Sequence, residues 1–297
     1  MENEFALRAN KLHYSDFPLE FQYKKFKNSF GLYISALSLK EVSDIINTFA
    51  FPNLNIFGVD HDWYDPELNA YDTLRDVALS QNVPFHAYDN ENIVIAREHL
   101  PNLLDGFCHF NFHFYDSPYI LEEIEYIQNN HYISNSDGQG SILEGINDSS
   151  IWIDSHDDCY FYIETKSQSL LETITAKAFD SLCRVTVESI FNEPIKITQK
   201  LIKQIFVENK PVTILQVPVL LNENVIWPIF FQDFPWSSNG DLSHVEGFEK
   251  PESYLVLDLK SGECTIENND LIHENYRCSS KNKTVAGKSN FIIFTKD

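Results

Sequence analysis

Apolar positions recur along the first half of this chain with two alternating periods. SLKEVSDIINTF opens with a capping box, Ser38 with Glu41, ahead of apolar Val42, Ile45, Ile46 and Phe49, which predicts a helix over about 39–49. LNIFGV at 54–59 reads as a short buried strand. Asp65 followed by Pro66 predicts the cap and first turn of a helix whose apolar face is Leu68, Tyr71, Leu74 and Ala78. VPFHAY and IVIA flank turn residues 89–92 and predict a hairpin. FCHFNFHFYD at 107–116 alternates strictly, as a strand does, and Ser117 with Pro118 then opens a helix through Ile120, Leu121, Ile124 and Ile127.

The pattern breaks at 131–150, HYISNSDGQGSILEGINDSS, a polar stretch rich in Gly, Ser and Asn that reads as a linker or long loop. Beyond it IWI and CYFYIE are strand-like, and Leu170, Leu171, Ile174, Ala178 and Leu182 recur at helical spacing. A further helix is predicted around Leu201–Val207, and the remainder is strand-like: VTILQVPVLL, NVIWPIFF, YLVLDL turning at KSGE into CTIE, and NFIIF. The expected class is therefore α+β, a mixed N-terminal α/β half followed by a β-rich, largely antiparallel C-terminal half. The expected domains are an acidic one over 1–140 and a β-rich one over 150–297, or a single fused unit.

Charge changes this picture more than composition does. With 43% hydrophobic residues, 23 Phe and 14 Tyr, the 297-residue chain has apolar surface enough to fold. Its net charge of -22 is confined: 41–165 carry 23 acidic and 2 basic residues, Arg75 and Arg97, for a net of -21, against +2 for 1–40 and -3 for 166–297. From Glu98 to Glu164 there are 13 acidic residues and no Lys or Arg. Such a field repels nucleic acid and anionic lipid, and it attracts basic proteins or divalent cations. The N-terminal stretch lacks the apolar run of a signal peptide and no segment has the length of a membrane span, so a cytoplasmic protein is expected. The five cysteines are scattered without CxxC, which predicts reduced thiols.

Candidate chemistry is sparse. On a strand His109 and His113 lie ~13 Å apart, too far for one metal whose ligand nitrogens sit at ~2.1 Å, so no shared ion is expected there. Asp60, His61, Asp62 and Asp65 in VDHDWYDPE sit between a predicted strand and helix, where open α/β sheets bind ligands. IDSHDDCY presents Asp154, His156, Asp157 and Asp158 between two strands and lacks the EF-hand spacing. A metal held by Asp60, His61, Asp62, Asp154, His156 and Asp158 would supply a hydrolase with an activated water. Against that stand solvated turns and, at Asp65, a helix cap. AGKS at 286–289 lacks the earlier glycine of a phosphate loop, and HENYR has Arg277 where a zinc histidine belongs. DGQGSILEG is not preceded by a strand, and Trp227 and Trp236 bracket an aromatic segment better explained as core plus loop than as a recognition loop.

Charge without catalytic signature favours a noncatalytic binding protein, for example an immunity or antitoxin-type inhibitor of a basic partner, contacting it through Asp60, Asp62, Asp65, Glu122, Glu123 and Glu125. No cofactor is expected. The alternatives are the metal-dependent hydrolase and a scaffold with no special site.

Overall fold

A computed structural model describes residues 18–35, 53–58, 73–104, 112–115, 125–126, 129–130, 140–146, 151–156, 160–187, 190–208, 210–215, 218–221, 223–233, 251–268, 276–279 and 293–296. The chain divides into two compact units, Met1–Tyr23 with Glu172–Asp297, and Lys24–Leu171. Both contain helices and mostly antiparallel strands, so the class is α+β. Among the described residues no helix is long and apolar enough to cross a membrane.

In chain order the first eight strands are β1 (Leu19–Lys25), β2 (Phe30–Ser35), β3 (Asn53–Gly58), β4 (Phe85–Ala87), β5 (Asn92–Ala96), β6 (Phe112–Tyr115), β7 (Ile151–His156) and β8 (Tyr160–Thr165). The unit Lys24–Leu171 lines its strands up as β4-β5-β3-β6-β7-β8-β2, every pairing antiparallel. β4 and β5 are the expected hairpin. Asp89 makes its turn by accepting the backbone N–H of Glu91 and of Asn92, both at 2.7 Å. β7 and β8 likewise form a hairpin, with IWI and YFYIE as its arms.

β8 lies between β7 and β2 and buries both of its faces. Phe161, Ile163 and Thr165 are buried on one, Tyr162 and Glu164 on the other. On that second face the one-turn 3-10 segment Ile142–Glu144 brings Ile142, Leu143 and Ile146 against Trp152 and Tyr162, with Phe26, Tyr33 and Tyr126 packed around them. The domain boundary expected between 140 and 150 therefore lies inside this unit. The stretch is polar in composition, but its three apolar side chains are core, and this accounts for the difference from a linker.

The helix expected to start at Asp65 is described only as α1 (Leu74–Ser80), where Thr73 is the cap. Its hydroxyl accepts from Asp76 N–H at 3.2 Å and donates to the Asp76 carboxylate at 2.7 Å. Leu74 and Ala78 are buried as expected, and Asp65, Leu68 and Tyr71 lie outside the described residues, as does the helix expected at 39–49. A short second helix, α2 (Leu100–Leu104), buries Leu100, Leu103 and Leu104.

Two helices follow, α3 (Gln168–Val187) and α4 (Gln199–Ile205), the latter capped by Thr198, whose hydroxyl accepts from Leu201 N–H at 3.2 Å. The remaining strands are β9 (Lys196–Ile197), β10 (Pro211–Ile214), β11 (Val219–Leu221), β12 (Asn224–Phe230), β13 (Ser253–Asp258), β14 (Glu263–Asn268), β15 (Tyr276–Ser279) and β16 (Ile293–Lys296). In the unit containing Glu172–Asp297 the order is β1-β10-β12-β13-β14-β9, with β11 also on β12 and with β9 parallel to β14. β15 and β16 form a separate antiparallel pair.

β12, NVIWPIF, is buried along nearly its whole length despite carrying a proline. The Pro228 carbonyl accepts Leu215 N–H at 3.0 Å. The proline nitrogen, on the same side of the strand, falls where β12 changes partner from β10 to β11, so the missing donor interrupts no regular ladder. α3 buries Leu171, Ile174, Ala178, Phe179, Leu182 and Cys183. Phe179 stacks on Phe21 of β1 with centroids 5.3 Å apart, and Cys183 Sγ lies 3.9 Å from Cys264 Sγ of β14. The hydrogen bond with Cys264 and burial both push the Cys183 thiol well above its usual range.

Phe179→Ala empties a fully buried aromatic site and should lower unfolding free energy by about 3 to 5 kcal/mol in urea titrations. A loss under about 1 kcal/mol would mean that the helix does not depend on this contact.

Candidate functional site

Most residues singled out from the sequence lie outside the described residues: Asp60, His61, Asp62, Asp65, Glu122, Glu123 and Asp158, and also His109. Glu125 is described and exposed, and its carbonyl accepts from Asn129 Nδ2 at 2.8 Å. Asp154 and His156 are on β7. In register Asp154 stands opposite His113 of β6 on one side and Tyr162 of β8 on the other, and His156 stands opposite Tyr160. His113 lies in a strand, as its alternating context predicts. Among the described residues no three His, Cys, Asp or Glu side chains come close enough to hold a metal ion.

The structure instead draws attention to Glu164, which is 0% exposed. A carboxylate taken out of water needs its oxygens met by donors, and Glu164 meets four. Ser29 Oγ donates to Oε1 at 2.6 Å, and Ser141 Oγ donates to the same oxygen. Oε2 accepts the Ile142 backbone N–H at 3.2 Å and the Tyr162 hydroxyl at 3.0 Å. The two serine oxygens are 3.0 Å apart. Three separate stretches are thus tied to one side chain: the turn at 26–29, closed by Phe26 N–H on Ser29 O at 2.9 Å, the 141–144 segment, and β8 itself.

Local sequence makes room for this. In the β2–β8 register Gly31 stands directly opposite Glu164, and a Cβ there would come within 2.7 Å of the Tyr162 hydroxyl and 3.1 Å of the Phe26 ring. Only glycine lets that hydroxyl reach the carboxylate. Gly145 does the same for the lid of the cluster, since a Cβ would lie 2.0 Å from the Tyr126 ring. Burial, and then the charges of Glu164 and Glu144, push the Tyr126 phenol above its usual range.

Beside this network is a cavity of about 360 Å³ lined by Lys27, Asn28, Ser29, Ser141, Leu143, Glu144 and Lys166. Its size is at the lower end of small-molecule sites. The buried serines belong to its wall, whereas Lys27, Asn28, Glu144 and Lys166 are exposed. Sequence reading had no motif to find here. Its one signal is Glu164 inside YFYIET, a carboxylate on a strand otherwise apolar on both faces.

Compared with known proteins, the chain matches no family model, no curated protein and no solved structure.

Glu164→Ala leaves four donors facing an apolar hole and should lower unfolding free energy by about 3 kcal/mol. Glu164→Gln should be far milder, about 1 kcal/mol. Its amide oxygen can keep the Ile142 and Tyr162 donors, while its NH2 donates to serine hydroxyls that rotate to accept. Equal losses for the two variants in denaturant titration would refute this network as the source of the stability.

Proposed function

We propose that the protein is a noncatalytic acidic binding protein of the cytoplasm whose central segment docks a basic protein partner, in the manner of an immunity or antitoxin-type inhibitor of a cationic enzyme. The observation that carries the reading is the confinement of a net charge of -21 to residues 41–165. The geometry of the described residues is in keeping with it. Asp89, Glu98, Glu125 and Glu144 are exposed, and among the described residues Asp89, Glu125 and Glu144 form no ion pair with a lysine or arginine. Glu164 is the exception, since its burial removes one of the 23 carboxylates from the surface.

A surface of one sign raises the local concentration of an oppositely charged partner and orients it before contact, which accelerates association by ~10 to 10³ in favourable cases. The contact residues we assign are Asp60, Asp62, Asp65, Glu122, Glu123 and Glu125. Rim carboxylates of this kind act chiefly on the association rate and contribute little to folding.

The test is capture of basic proteins from native lysate on the immobilised full chain, followed by kinetics with the recovered partner. Reversing Glu122, Glu123 and Glu125 together to lysine should slow association about tenfold or more, with the melting temperature retained. Association of the variant at the parental rate would overturn the reading. So would purified protein that carries a stoichiometric metal and hydrolyses a model ester, the behaviour of a hydrolase built on Asp60, His61, Asp62, Asp154, His156 and Asp158.

A further inference from the structure

Two cysteines meet inside the core of the unit that contains Glu172–Asp297. Cys183 on α3 and Cys264 on β14 are free thiols, both 0% exposed, and their sulfurs lie 3.9 Å apart although 81 residues separate them in sequence. A disulfide places its sulfurs about 2.05 Å apart, so the remaining approach is about 1.9 Å, shared between two side chains that turn about their own χ1 bonds. Packing alone asks only for apolar groups here, and two sulfurs in direct contact add a chemistry that such groups lack.

The surroundings supply both protection and a way in. The hydrogen bond to Cys264, then burial, hold the Cys183 thiol protonated well above its usual range; Asp180 adds to the shift and Arg184 opposes it. Since the thiolate is the reactive form, the closed core shields this pair from oxidation. Cys264 stands opposite Leu257 of β13 on one side and Ile197 of β9 on the other. β9 has only two residues and ends the described strand order beyond β14. Its hold consists of that short parallel register, the Lys196 N–H on the Gly262 carbonyl at 2.8 Å and Lys196 Nζ on the Ser261 carbonyl at 2.8 Å. An edge with so few bonds is the least costly part of the sheet to open, and opening it bares the backbone at Cys264.

We propose that Cys183 and Cys264 form a redox-responsive latch, in which a peroxide admitted at this edge converts the dithiol into a disulfide that fixes α3 to β14. One sulfur attacks a peroxide oxygen, giving a sulfenic acid and releasing one water. The second sulfur then displaces that hydroxyl, forming the S–S bond and releasing a second water. Each sulfur gives up one electron and one proton, and the peroxide takes up both. One turn of α3 then carries two anchors, Phe179 stacked on Phe21 of β1 and Cys183 bonded to β14, strands four places apart in the unit's order. The latch lies in the unit that does not hold the acidic segment, and its failure would leave the docking of a basic partner unaffected.

The experiment treats the full chain with hydrogen peroxide in native buffer, blocks remaining thiols in denaturant and digests with trypsin. Cleavage after Lys177, Arg184, Lys260 and Arg277 puts Cys183 in fragment 178–184 and Cys264 in fragment 261–277. These fragments should be recovered joined, two hydrogen atoms lighter than their sum, and dithiothreitol should separate them. The melting temperature of the oxidised chain should rise by about 5 °C or more and return on reduction, because the bond closes a long loop in the unfolded chain. Cys183→Ala and Cys264→Ala should each show neither the joined fragments nor the rise. Should either variant fail to fold, the fragment map of the parent chain decides alone. The proposal is overturned if both thiols are still blocked as thiols after peroxide, or if either ends as a sulfinic acid. It is overturned equally if either pairs with Cys108, Cys159 or Cys278, or if the joined fragments form only in denaturant.

Discussion

The Lys24–Leu171 unit depends on how it accommodates one buried carboxyl group, Glu164, within its interior. Removing a carboxylate from water is among the least favourable steps in folding unless its oxygens are met by donors. Here four donors from three stretches converge on it, two of them serine hydroxyls held by segments far apart in sequence. That requirement explains several local choices at once. Gly31 and Gly145 stand where a side chain would displace Tyr162 or Tyr126, and the 3-10 turn at Ile142–Glu144 aims a backbone N–H at Oε2. A polar stretch that looks like a linker is thereby fixed to the sheet.

Legibility from sequence varied with the kind of signal. Elements set by local chemistry were readable: the 85–96 hairpin from its Asp89 turn, β7 and β8 from their apolar arms, α3 from Leu171, Ile174, Ala178 and Leu182, and the β13–β14 hairpin from KSGE. α4 was readable to within two residues at each end. β1 was missed although Leu19, Phe21 and Tyr23 alternate into the core. The run is short, and Lys24, Lys25 and Lys27 follow it at once, so its charged end masks its apolar face. The role of 140–146 was missed for another reason. Isolated Ile142, Leu143 and Ile146 have no period of their own and become core only through partners at Trp152 and Tyr162.

The candidate site was not legible at all, because it is a property of pairing. Ser29, Ser141 and Glu164 are unremarkable in sequence, and their relationship arises only when β2 lies beside β8 and the 3-10 turn covers that face. In a tally of charge Glu164 counts as one more surface carboxylate. In the fold it is fully withdrawn from solvent. Long-range charge and short-range structure therefore use carboxylates in opposite ways in this chain. Exposed groups such as Glu98, Glu125 and Glu144 shape the field outside, and the buried one organises the interior.

The proposed docking through that external field would have a signature that buried contacts lack, since mobile ions screen such a field over ~8 Å at physiological ionic strength. The most direct measurement is the stopped-flow association rate with the captured basic partner, taken from about 0.02 M to about 0.5 M salt. Electrostatic docking predicts a rate that falls at least tenfold across that range, with a much smaller change in dissociation. A rate that stays constant with salt would contradict it and assign recognition to short-range contacts instead.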